Sequence, residues 1–197
     1  MIVTVASFKG GVGKTTTAVH IAAFLCRRGS TLLLDGDENR SATGWGALGK
    51  LPFQVADERK GVKLAPKYEH LVIDTQARPS IEDLKALAEG CDVLIIPTTA
   101  DTLALNALML TLQALKSFEN VKYRVLLTIV EPKPNRDGDE ARATLTELKI
   151  PIFKRSINRF IAFKKAALKG VTVLEVADPR ARTAWDQYED VGEEVIA

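Results

Sequence analysis

Residues 2–16 read IVTVASFKGGVGKTT, and this stretch decides the fold. Ile2–Phe8 is apolar and rich in β-branched residues and runs directly into glycines, the pattern of a buried strand. From Lys14 a helical pattern continues to Arg28, and Gly29 stands in the helix-stop position. Strand, glycine-rich turn and helix in immediate succession make an anion cradle, because open α/β sheets bind ligands beyond the carboxyl ends of their strands. Gly10, Gly11 and Gly13 permit positive φ and bring backbone N–H groups close to phosphate oxygens. The start of the helix adds free N–H groups and a positive dipole end. Lys14 supplies a charge for the β- and γ-phosphates, and the Thr15 hydroxyl can ligate Mg²⁺. Lys9, Gly10, Gly11, Val12, Gly13, Lys14, Thr15 and Thr16 are therefore the candidate phosphate-binding residues.

Outward from this loop, apolar runs alternate with helical patterns. Thr31–Asp35, His70–Asp74, Val93–Pro97, Tyr123–Val130 and Ile150–Lys154 read as strands, and Val171–Leu174 as a further short one. Helices are expected over Ile81–Glu89, from an Asp101 cap to about Ser117, and over Asp137–Leu148, Arg159–Lys169 and Pro179–Ile196. The alternation predicts an α/β, three-layer P-loop fold: a mostly parallel twisted sheet with helices on both faces. The strands are continuously apolar, as burial on both sides requires. With 197 residues and no linker or repeat, the whole of 1–197 is expected to form one domain.

Composition excludes more than it names. The chain is 46% hydrophobic and 26% charged with a net charge of +2, an ordinary globular balance. No run approaches a membrane span, and nothing at the N-terminus resembles a signal peptide, so a cytoplasmic protein is expected. Cys26 and Cys91 lie in apolar contexts without a Cys-x-x-Cys spacing, which argues for buried free thiols rather than a metal or iron–sulfur site.

Three carboxylates close strands. Asp35 and Asp37 stand two apart and share a side if the chain stays extended, and Asp74 ends another run. Oxygen ligands of this kind suit a hydrated Mg²⁺.

The ordinary pattern G-x-x-x-x-G-K-[ST] fails here. Phe8 stands where its first glycine belongs, and Lys9 precedes the glycine pair. Phe8–Thr16 instead resembles the deviant Walker A box of the ParA/MinD family. Asp35-Gly36-Asp37 is similar to that family's D-x-D segment and Val72–Thr75 to its Walker B strand end. The resemblance implies an ATPase, hydrolysing ATP to ADP and phosphate, that works as a sandwich homodimer. Lys9 would reach the phosphates held by the partner subunit, Asp37 would orient the attacking water, and Asp35, Asp74 and Thr15 would serve the Mg²⁺ shell. Adenine contacts would come from the loops near Pro132 and Ser156–Asn158. The chain departs from many relatives at Glu38, where they have proline, and at Gln76-Ala77-Arg78-Pro79 in the second switch loop.

Charge is uneven near the C-terminus. Pro151–Gly170 carries six basic residues and no acidic one, whereas Thr183–Ala197 carries five acidic residues and no basic one. On a helical wheel Arg159, Lys165 and Lys169 share an arc with Ala162 and Ala166, while Lys164 falls among Phe160, Ile161, Phe163, Ala167 and Leu168. Arg155, Arg159, Lys164, Lys165 and Lys169 are the candidate contacts for nonspecific DNA, or else an ordinary solvated face. The acidic end argues against a membrane-binding tail. The ParA resemblance implies a nucleoid-associated dimer, a ParB-like or McdB-like adaptor, and a plasmid, chromosome or carboxysome-like compartment as cargo. Small chains without an added DNA-reading domain resemble the ParF-like group, and the run Asp35–Trp45 (DGDENRSATGW) is similar to the McdA-like group. The alternative is an ATP-dependent amidoligase of the same fold.

Overall fold

The computed structural model describes residues 1–77, 79–118 and 121–197. Six strands, β1 (Ile2–Ser7), β2 (Thr31–Asp35), β3 (Gln54–Asp57), β4 (His70–Ala77), β5 (Val93–Thr98) and β6 (Tyr123–Leu127), form one sheet in the order β3-β2-β4-β1-β5-β6. Every strand pair in it is parallel.

Alternate residues of each strand enter different layers, as the twofold strand period dictates. Val3, Val5, Leu33, Val72, Ile95 and Leu126 face one core, and Ala6, Leu94, Ile96, Val125 and Leu127 face the other. The first core is covered by α1 (Lys14–Cys26), α2 (Ser41–Gly46), α7 (Ile161–Lys169) and α8 (Ala181–Ile196). The second is covered by α4 (Ile81–Glu89), α5 (Thr102–Leu115) and α6 (Asp137–Glu147). Helix α1 is buried nearly all round, because it lies between the sheet and α8. Gly192 permits that approach: a Cβ there would stand 2.4 Å from the Phe24 ring.

The long apolar segments fold as the sequence predicts, including the Asp101 cap of α5, whose carboxylate accepts from Ala104 N at 3.0 Å. Other segments differ. Ile150–Lys154 makes only a bridge between Ile152 and Val125, and Val173–Glu175 is a 3₁₀ turn closed by a Thr172–Glu175 capping box rather than a strand. Strand β6 ends at Leu127, because the Thr128 hydroxyl turns to Val12 and Thr98 carbonyls and Ile129 adopts φ 53°. Between β2 and β4, where the sequence showed no pattern, lie α2, the short edge strand β3 and the turn α3 (Gly61–Leu64).

Helix α7 starts two residues later than predicted, and its two arcs do not divide inside from outside. Ala162 and Ala166 are fully buried, whereas Ile161 and Leu168 are 69% and 82% exposed. Phe163 and Ala167 of the apolar arc pack against the same core beside the two alanines. The acidic residues of α8 are not a free surface either. Glu189 and Glu193 pair with Arg27 and Arg28 of α1's C-terminal turn, Asp190 with Arg155, and Glu194 with Arg124. Cys26 and Cys91 are free and half-buried, less enclosed than expected.

Candidate nucleotide-binding site

The β1–α1 turn forms the floor of a cleft of about 860 Å³ at the carboxyl edge of the sheet. Gly11 and Gly13 adopt φ of 77° and 81°, which side-chain-bearing residues seldom adopt. Thr128, just past the end of β6, braces the turn, donating to Val12 O at 2.8 Å. Lys14 is buried within the loop, and all of Lys9–Thr16 lines the cleft. Lys9 does not point along the loop. Its ammonium lies 2.7 Å from Asp101 Oδ1 at the start of α5. That contact, with help from the Thr99 hydroxyl, holds the Asp101 carboxyl down at about 2.

Strand register brings the carboxylates together. Asp35 sits beside Asp74 across the β2–β4 pair and beside Asp57 across β2–β3. Their environments differ. Asp35 is fully buried but satisfied, accepting from Asp37 N, Thr43 N and the Thr43 hydroxyl. Asp37 accepts from the backbone and side chain of Asn39 and lines the cleft. Asp57 is tied to Arg40 at 2.9 Å. Asp74 is fully buried with both oxygens unpartnered. Burial pushes its carboxyl up to about 7, and the nearby Asp35 and Asp37 push the same way against Thr15 and Lys14. An orphaned carboxylate beside a threonine hydroxyl and a lysine suits a divalent cation. Thr15 and Asp74 fit Mg²⁺, an oxygen-seeking ion that keeps several waters and takes phosphate oxygens. Among the described residues no three His, Cys, Asp or Glu side chains cluster to hold a metal alone.

An aromatic nest lies against the phosphate helix. His20 stacks on Tyr188 at 4.9 Å and meets Trp45 and Phe163 edge-on. Burial lowers the His20 imidazole to about 4, so it is neutral at pH 7. Val173 N–H donates to Nε2 at 3.1 Å, so the proton resides on Nδ1 and is donated to Thr16 O at 2.7 Å. The Tyr188 hydroxyl contacts the Thr17 hydroxyl at 3.1 Å. Trp45, Phe163 and Tyr188 all reach the cleft.

The residues expected at the base separate. Asn158 lines the cleft. Ser156 instead accepts from Arg142 at 2.6 Å, and Pro132 is exposed and off the cleft wall. The basic strip separates as well. Arg155, Arg159 and Lys165 are paired with Asp190, Glu131 and Asp178, whereas Lys164 and Lys169 make no ion pair among the described residues. Arg159 and Lys164 line the cleft mouth. Of the second switch loop, Ala77 lines the cleft, and Arg78 lies outside the described residues. Sequence reasoning missed Thr128, Trp45, Gln187 and the second role of Asp101, all set by neighbours far along the chain.

A parallel sheet carrying a glycine-rich strand–helix turn at its carboxyl edge, with buried carboxylates beside it, defines a P-loop nucleotide-binding protein. The profile of the CobQ/CobB/MinD/ParA nucleotide binding domain matches residues 3–173. The chain belongs to that family. It is 35% identical to the Maintenance of carboxysome distribution protein A of Gloeobacter kilaueensis, over 98% of this chain and 93% of that one. It is 29% identical to Protein ParA of Rhizobium radiobacter over 66% of this chain and 65% of that one. The ATP complex of a Cyanothece McdA variant superposes with a TM-score of 0.80, at 19% identity, covering 99% of this chain and 95% of that one. Among the described residues no helix is long and apolar enough to cross a membrane.

Proposed function

We propose that the chain is a ParA-type ATPase that positions a cargo by cycling between a free monomer and an ATP-bound sandwich dimer on DNA. The observation that carries this reading is Lys9. It stands at the mouth of the phosphate cleft with its ammonium on Asp101 rather than in its own loop, free to be drawn to phosphates held by a second subunit. Lys14 and the Gly10–Gly13 amides take the β- and γ-phosphates; Thr15 and Asp74 would hold Mg²⁺, which would supply positive charge to offset that of the phosphates. Asp35 fixes the segment that carries Asp37, and Asp37 orients the water for in-line attack. Lys164 and Lys169, doubled by dimerisation, contact DNA phosphates without reading sequence. A ParB-like or McdB-like adaptor stimulates hydrolysis and releases the dimer. The relative at 35% identity over nearly the whole chain favours a carboxysome-like compartment as cargo over a plasmid.

The test is sedimentation of Asp37→Ala with ATP and Mg²⁺, alone and as the double variant with Lys9→Ala. The single variant is expected to dimerise and to shift DNA at low salt. The double variant is expected to bind ATP as a monomer and leave DNA free. Equal dimerisation of the two would sink the proposed role of Lys9, and dimers that ignore DNA would sink the positioning mechanism.

A further inference from the structure

Gln187 of α8 is a buried polar side chain that the phosphate chemistry does not use; it is 8% exposed. Two hydrogen bonds join it to Asn158. The Asn158 backbone N–H donates to Gln187 Oε1 at 2.9 Å, and Gln187 Nε2 donates to Asn158 Oδ1.

The first of these bonds fixes the orientation of both amides. A backbone N–H can only donate, so the Gln187 atom it meets is the carbonyl oxygen. The far end of Gln187 is then its NH₂ group. That group is itself a donor, so the Asn158 atom it meets is oxygen. What Asn158 has left is Nδ2, with two N–H donors, and Asn158 lines the cleft. Among the described residues Nδ2 has no hydrogen-bond partner, and it is not one of the buried polar atoms cut off from solvent. The cleft wall around it is formed by Ile129, Ile157 and Phe160, an apolar surface suited to a flat ring. The phosphate loop occupies the other side of the same cleft. A nucleoside attached to loop-bound phosphates must extend away from the loop along this wall.

We propose that Gln187 is a positioning residue: it locks the Asn158 amide with its N–H donors turned to the cleft, where they select a purine that presents a ring-nitrogen acceptor. The inference rests on the nucleotide-binding reading above and adds to it the means of base selection. Adenine offers such acceptors at N1, N3 and N7. A base bearing hydrogen at the contacted nitrogen would set donor against donor. Gln187 touches no ligand itself and acts only through Asn158.

The test is equilibrium binding of ATP, of 1-deaza-, 3-deaza- and 7-deaza-ATP, and of inorganic tripolyphosphate. Each deaza analogue replaces one ring acceptor with C–H. The wild-type protein should bind one of the three about 3–10-fold more weakly than ATP, the net worth of one hydrogen bond. In Gln187→Glu the side chain has no donor, so Asn158 turns its NH₂ toward the carboxylate and offers Oδ1 to the cleft. In Gln187→Met neither bond forms, which keeps the test open if the charged variant does not fold. In both, ATP should weaken by about the same 3–10-fold, the deaza penalty should vanish, and tripolyphosphate should bind within about 2-fold of wild type. A variant that keeps the wild-type deaza penalty overturns the proposal. So does a wild-type protein indifferent to all three analogues, or tripolyphosphate binding that falls in step with ATP. A wild-type protein that binds neither ATP nor tripolyphosphate would instead remove the nucleotide reading beneath it.

Discussion

Asp74→Asn should stabilise the nucleotide-free protein at pH 8 and do almost nothing at pH 4. Asp74 is buried with both carboxylate oxygens unpartnered, and desolvation is the main reason its folded pKa rises from 3.8 to about 7. The folded state therefore binds a proton more tightly than the unfolded chain. Stability from this group is fully present below the unfolded value and is lost as pH rises through the folded one. At about 1.4 kcal/mol per pH unit, the gap between 3.8 and about 7 amounts to about 4 kcal/mol lost by pH 8. A neutral amide of the same shape escapes most of that loss. His20 slopes the other way: burial lowers it from 6.5 to about 4, so its contribution disappears as pH falls through that window. The absolute stability curve mixes the two. The difference between Asp74→Asn and wild type removes His20 and isolates Asp74. The assay is urea unfolding of both proteins in EDTA from pH 4 to pH 8. The expected difference grows with pH to between about 2 and 4 kcal/mol, allowing for the amide's own unmet hydrogen bonds. Mg²⁺ with nucleotide should shrink it, because a cation beside Asp74 removes the cost of the carboxylate. A difference that is flat across the range would refute the claim that this carboxylate is held without a partner.

Three further outcomes follow from other contacts. Thr128→Val keeps the shape of the side chain but removes its bond to Val12 O, so nucleotide binding should weaken by about 1 kcal/mol in calorimetry with little change in the far-UV spectrum. Gly192→Ala puts a methyl group into the Phe24 ring and should cost about 1–3 kcal/mol in chemical unfolding; a neutral result would mean α1 and α8 are not as close as described. Lys164→Ala with Lys169→Ala should weaken DNA binding equally across sequences and flatten the dependence of log K on log salt by about 2 per protomer, read by fluorescence anisotropy.

The phosphate loop and the carboxylates were legible because each is a local pattern: glycines at fixed spacing after a strand, and aspartates at the ends of apolar runs. The parallel register then puts Asp35 beside Asp74 without further information. Helix α7 was misread for the same reason that pattern reading works elsewhere. Its helical wheel set Ala162 and Ala166 among the basic residues, yet both are fully buried beside Phe163 and Ala167 of the apolar arc, whereas Ile161 and Leu168 of that arc are exposed, a fact about the space left by α2 and the Val173 turn rather than about α7. What the pattern of the basic strip does not show is that Arg155, Arg159 and Lys165 pair with Asp190, Glu131 and Asp178, which lie in other segments.

Helix α8 makes the same point about function. In sequence it is an acidic amphipathic ending, and its charges suggested only what it would avoid. In the fold those charges fasten it to α1 and to the segments around β6, and its inner face works on the cleft at two places. The Tyr188 hydroxyl meets Thr17 in the first turns of the phosphate helix, 171 positions away, and Gln187 holds Asn158 on the opposite wall. The two residues are neighbours in the chain, so a displacement of α8 large enough to loosen one contact must disturb the other. The helix thus touches both walls of the cleft through adjacent residues. A substitution confined to its outer ion pairs, such as Glu193→Ala opposite Arg28, should cost no more than about 1 kcal/mol of stability, because the pair is solvated. It should leave nucleotide affinity unchanged in the same preparation. If affinity fell with so small a loss of stability, the outer charges rather than the buried contacts would be setting the geometry of the cleft.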